Sequence, residues 1–134
     1  MKIISFIIPF FVFSYMANSQ NLTVTVDNVL NTNGQVLIAL HTSETFMKGP
    51  GIQNEAVGIS GNSVTVTFKD VEPGSYAIMV LHDENSNHRM DYEVTGMPKE
   101  NYGTSNNAMS FGPPRFEDAR FDMTEEDLEL KIRF

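Results

Sequence analysis

The segment Asp83-Glu84-Asn85-Ser86-Asn87-His88-Arg89-Met90-Asp91 sets oxygen-bearing side chains at its first, third, fifth and ninth positions. That spacing is the ladder of a calcium loop, in which alternate residues turn a carboxylate or amide oxygen toward one ion. Arg89, at the seventh position, would contribute its backbone carbonyl, so its side-chain type does not matter there. A hard divalent cation of this size takes six to eight oxygens at about 2.3–2.6 Å. The ladder Asp83, Asn85, Asn87, Arg89 and Asp91 supplies a partial set, which Glu93, Glu100 or water would complete.

Two departures separate this loop from the helix-flanked form. His88 stands where glycine is usual, and Val94 where a bidentate glutamate is usual. Histidine tolerates the left-handed conformation that position requires. An apolar, period-two segment precedes Asp83, so the expectation is a loop at the tip of a sheet. A solvated Asp/Asn turn fits the same residues, because these side chains also bond their own backbone. Both readings stay open on sequence alone.

The segment from Gly96 to Asn107 is long for a connector, and such loops often carry function. Tyr102, Ser105 and Asn106 would line a small-ligand or peptide pocket there. Alternatively, the segment folds back over the end of the domain and is tied down by the ion. An enzymatic reading, a small envelope hydrolase, requires this loop to share a concave site with His82 or His41. His41, His82 and His88 lack the short spacing of zinc ligands, and no Gly-x-Ser-x-Gly elbow occurs. No catalytic residue is assigned.

Period-two patterning dominates the elements that must position these residues. Leu22–Val26 alternates apolar with hydroxyl side chains, and Val36–His41 is apolar on both faces, as a central strand would be. Asn33-Gly34 between them favours positive φ, which predicts a hairpin. Further strands are expected at 56–59, 63–68, 76–82, 119–123 and 128–134, with a turn of helix near Glu117 or Thr124. These elements predict an all-β fold, an antiparallel two-sheet sandwich of about seven strands, as one domain.

Residues 1–19 carry Lys2, a mostly apolar run and the small residues Ala17 and Ser19. This pattern predicts a secretory signal peptide cleaved between Ser19 and Gln20, leaving residues 20–134 as the mature domain. The run is shorter than the ~20 apolar residues a membrane span needs, and no later stretch is apolar enough. The expected location is the periplasm or the medium, most consistently that of a bacterial envelope. The 134-residue chain has 17 acidic and 9 basic residues, a net charge of -8 and no cysteine. That balance argues against nucleic acid and leaves an envelope protein or a carbohydrate as partner. Thiol catalysis and disulfide scaffolding are excluded.

Three stretches resemble a known family: Pro73 to Asn87 with Asp91, Gly96 to Asn107, and Gly112-Pro113-Pro114-Arg115-Phe116-Glu117-Asp118-Ala119. They are similar to a bacterial exported domain family of unknown function (number 2141), over nearly the whole mature chain. The Pro-Gly-x-Tyr strand also resembles prealbumin-like and Ig-like sandwiches, some with an Asp-x-Asn-x-Asn calcium loop. The resemblance implies a β-sandwich with Asp83, Asn85, Asn87 and Asp91 as calcium ligands, and it supplies no catalytic residue.

Overall fold

A computed structural model describes residues 20–108 and 112–134, together with Pro9 and Val12. The signal peptide expected over residues 1–19 therefore lies outside the described residues, those two positions apart. The strands are β1 (Gln20–Asp27), β2 (Gln35–His41), β3 (Gln53–Gly58), β4 (Ser63–Val71), β5 (Gly74–Asp83), β6 (Tyr102–Thr104), β7 (Phe121–Met123) and β8 (Leu128–Arg133). A 3-10 turn (Ser105–Asn107) and one short helix, α1 (Phe116–Ala119), complete the order. Three strands form one sheet in the order β4-β1-β8. The other runs β3-β2-β5-β6, with β7 paired to the start of β5. Among the described residues no helix is long and apolar enough to cross a membrane.

β1 shows why these residues form strands. Leu22, Val24 and Val26 are fully buried against the facing sheet. Thr23 and Thr25 point outward, where their hydroxyls meet those of Thr67 and Thr65 at 3.2 Å across β4. Cross-strand threonine pairs of this kind reinforce the register that the buried face already demands. Val36, Ile38 and Leu40 of β2 and Ile78 and Val80 of β5 fill the other wall, closed by Phe68 and Ile132. Each such side chain contributes about 1.5–3 kcal/mol by leaving water.

Three expectations are corrected. β1 and β2 are not a hairpin: β1 pairs with β4 and β8, whereas β2 pairs with β3 and β5. The Asn31–Gly34 turn instead carries the chain from one sheet to the other. Both strands bury one face in the same core, and facing each other across it satisfies their patterns as well as pairing would. β8 runs parallel to β1, the one parallel pair among the described strands. It enters from the opposite sheet, and such a crossing is free of the tight-turn geometry that makes neighbours antiparallel. The strand expected from Ala119 starts at Phe121, because 116–119 turn as α1.

Gly34 adopts φ +66° and lies so close to the end of β5 that a Cβ would stand 2.0 Å from the Asp83 carbonyl oxygen. The sheet-crossing turn thus packs directly against the residue that opens the Asp83–Asp91 loop.

Candidate cation-binding loop

Asp83 is the last residue of β5 and is fully buried, at 0% exposure. Its Oδ1 accepts the Asn87 amide at 3.1 Å. Its Oδ2 accepts the His88 amide at 2.9 Å and the Gln35 side-chain amide at 3.1 Å. Asn85 Oδ1 accepts from the Asn87 amide at 3.3 Å, and Asn87 Oδ1 from the Arg89 amide at 3.1 Å. The Asp83, Asn85 and Asn87 side chains therefore each cap an amide further along the loop. Successive Asx turns of this kind wind the chain around its own polar centre. Ser86 and His88 take φ of 55° and 62°, so His88 occupies the left-handed position as the sequence predicts.

The far end of the loop returns to the same centre. The Asp91 carboxylate accepts the Asn85 side-chain amide at 2.6 Å and that of Asn87 at 2.9 and 3.0 Å. The Asn85 hydrogen bond is the main cause holding the Asp91 carboxyl below its ordinary pKa. A small hairpin follows, in which Lys99 donates its amide to the Asp91 carbonyl at 2.8 Å and Tyr92 bridges Pro98. The hairpin brings back Glu100, which is only 7% exposed. Glu100 Oε2 accepts the Glu84 amide at 2.7 Å and Oε1 the Asp91 amide at 3.1 Å, which clamps both ends of the loop. Burial, the larger influence, pushes the Glu100 carboxyl above its ordinary pKa.

Five of the residues singled out by spacing thus share one loop, and Glu100 joins them from outside it. Glu93 does not: it is exposed on the hairpin, with its amide bonded to the Met97 carbonyl. Among the described residues no three His, Cys, Asp or Glu side chains stand as a metal-binding group. Any cation held here would therefore depend on the Asn85 and Asn87 oxygens and the Arg89 carbonyl besides the acids. Gln35 was not singled out by sequence. It reaches Asp83 because the β2/β5 register places them opposite each other, which only the pairing reveals. A recess of about 340 Å³ opens at the loop, lined by Asn85, Asp91, Tyr92, Lys99, Glu84 and Glu100.

The 96–107 segment is tied down by backbone pairing and side-chain pegs. Tyr102–Thr104 forms β6 at the edge of β5, a strand too short for its pattern to be read from sequence. Ser105 is fully buried: its hydroxyl accepts the Ile78 amide at 3.0 Å and donates to the Ala119 carbonyl. Asn106 donates to the carbonyls of Arg120 at 2.8 Å and Asp118 at 3.3 Å. Of the three side chains expected around a pocket, Tyr102 borders one, a cleft of about 600 Å³ shared with Arg115, Asp118 and Arg133. Neither His82 nor His41 lines that cleft, so the concave site an enzymatic reading requires is not assembled there. His82 is buried and donates Nε2–H to the Asn33 carbonyl at 2.9 Å, its ring stacked on Phe134. His41 donates Nδ1–H to Thr45, and burial lowers its pKa.

These features define an all-β, two-sheet domain with an acidic, amide-rich loop at one end of its central strand. Residues 24–131 match the model of a family described as an uncharacterized protein conserved in bacteria (DUF2141), and the chain belongs to that family. No curated protein and no solved structure matches it.

Proposed function

We propose that this domain is an exported binding or accessory module of the bacterial envelope, with its Asp83–Asp91 loop braced by calcium. The observation that carries the calcium reading is the convergence of Asp83, Asn85, Asn87 and Asp91 on one loop wound by Asx turns. Asp83, Asn85, Asn87 and Asp91 would offer side-chain oxygens and Arg89 its carbonyl, with Glu100 beside them. A bound calcium ion would supply positive charge where acidic side chains crowd. The chain's own part is positioning: the end of β5 holds Asp83, and Glu100 holds the two ends of the loop together. Export is supported by the three-part pattern of residues 1–19. An envelope protein or carbohydrate partner suits the Tyr102 cleft, which combines an aromatic ring with charged side chains.

The deciding experiment is thermal melting of the exported protein in EDTA, in calcium and in magnesium. A ligand bound only by the folded state adds RT ln(1 + [L]/Kd), about 1.4 kcal/mol at a tenfold excess over Kd. The expected result is a rise of several degrees with calcium, absent with magnesium and abolished in Asp83→Ala. No rise up to 10 mM calcium (about ten times the weakest Kd of extracellular calcium modules) would reduce the loop to a polar turn.

A further inference from the structure

Gln20 opens β1 and is also the residue that cleavage after Ser19 would leave at the amino terminus. It is 4% exposed, and its side-chain Oε1 is buried without a hydrogen-bond partner. Its backbone stands opposite Val71 of β4, with a bulge before Leu22. Cleavage would thus place a charged α-ammonium on a residue that, in the full chain, shares the buried alternation of Leu22, Val24 and Val26. A buried charge is costly unless it is paired and hydrogen-bonded. The nearby Asp127 already accepts the amide of Asn21 at 2.9 Å.

We propose that the mature chain begins with pyroglutamate at position 20. The α-amino nitrogen of Gln20 attacks its own side-chain Cδ. A nitrogen–Cδ bond forms, the Cδ–Nε2 bond breaks, and Nε2 leaves as ammonia, carrying the proton the amine gives up. No oxidant, reductant or cofactor enters. The five-membered ring brings the two groups together within one residue, the situation in which intramolecular attack is most favoured. The lactam carries no charge, so a neutral group meets the enclosed position. Its nitrogen keeps one N–H, the same donor a strand residue presents. The ring oxygen is the former Oε1, which no donor in the sheet holds, so closing the ring breaks no hydrogen bond at that atom. A closed terminus also lacks the free amine that aminopeptidases outside the cell require.

The proposal rests on the export reading, and one experiment separates the two. The full chain, residues 1–134, is expressed in an exporting bacterium, and the purified product is read by intact mass and by tandem mass spectrometry of its first peptide. The expected mass is that of residues 20–134 less one ammonia, with the loss located on Gln20. Residues 20–134 at full mass, with a free amine, would overturn the lactam while leaving export standing. A chain that retains residues 1–19 would overturn both, and one cut at another position would overturn the lactam while leaving export standing. Gln20→Ala has no side-chain amide to expel, so its product should keep its full mass. Ammonia loss in that variant too would place the reaction at another residue and overturn the proposal.

Discussion

Glu100 accepts the backbone amide of Asp91 through one carboxylate oxygen, at 3.1 Å, and that of Glu84 through the other, at 2.7 Å. A residue nine positions beyond Asp91 therefore clamps both ends of the Asp83–Asp91 loop. The two acids are displaced in opposite senses. Burial raises Glu100, whereas the amide of Asn85 lowers Asp91.

Removing the clamp should loosen the loop rather than unfold the sandwich. Glu100→Ala leaves the Glu84 and Asp91 amides without this partner, at a cost of about 1–3 kcal/mol, the range for hydrogen bonds to charged groups or unsatisfied donors. Amide hydrogen exchange should speed up at Glu84, Asp91 and their neighbours while β1 and β4 stay protected. Uniform acceleration across both sheets would contradict a local role.

Gly34→Ala tests the contact between the sheet-crossing turn and β5. The substitution imposes a positive φ on a residue with a Cβ, which costs about 1–2 kcal/mol. It also drives that Cβ toward the Asp83 carbonyl. A melting temperature lower by several degrees is expected, together with a weaker response to calcium because Asp83 must shift. An unchanged melting temperature would show that the turn relaxes freely.

Ser105→Ala should destabilise the domain by about 1–3 kcal/mol, since the Ile78 amide and Ala119 carbonyl lose a buried partner. Equilibrium urea unfolding measures this directly. The loss should not depend on calcium, because Ser105 belongs to the peg that fastens β6 to α1 and not to the loop.

Acid should weaken the fold in two stages. His41 has a lowered pKa in the folded state, so the unfolded chain binds more protons as pH falls. Its contribution is complete above the unfolded value of about 6.5 and is lost as pH falls toward the folded value. Asp91, Asp118 and Asp122, also lowered, contribute above the unfolded carboxylate range, and that share is lost as pH falls further, with the raised Glu100 acting in the opposite sense. Urea midpoints from pH 8 to pH 3 should decline in both ranges, and His41→Gln should remove the upper decline while leaving the lower.

Much of the architecture was legible because strand periodicity is a local property. Leu22, Val24 and Val26 alternate with threonines, and Leu128, Leu130 and Ile132 with charged residues, so their buried faces could be read without knowing their partners. The loop could be read likewise: Asp83, Asn85 and Asn87 act within a few residues of one another, and His88 takes the conformation its position requires. What lay beyond the sequence is non-local. Whether β1 meets β2 edge to edge or across the core is decided by how two whole sheets bury their faces, and either arrangement satisfies the same alternation. The parallel β1/β8 pair, the placement of Gln35 against Asp83 and the burial of Ser105 all follow from that choice. β6 has three residues, too few for a period to emerge, and exists because β5 presents it with an open edge. Local chemistry determined the ladder of oxygens. Tertiary structure decided that Glu100, and not Glu93, stands beside it, because only the fold returns the hairpin from Tyr92 to Pro98 to the end of β5.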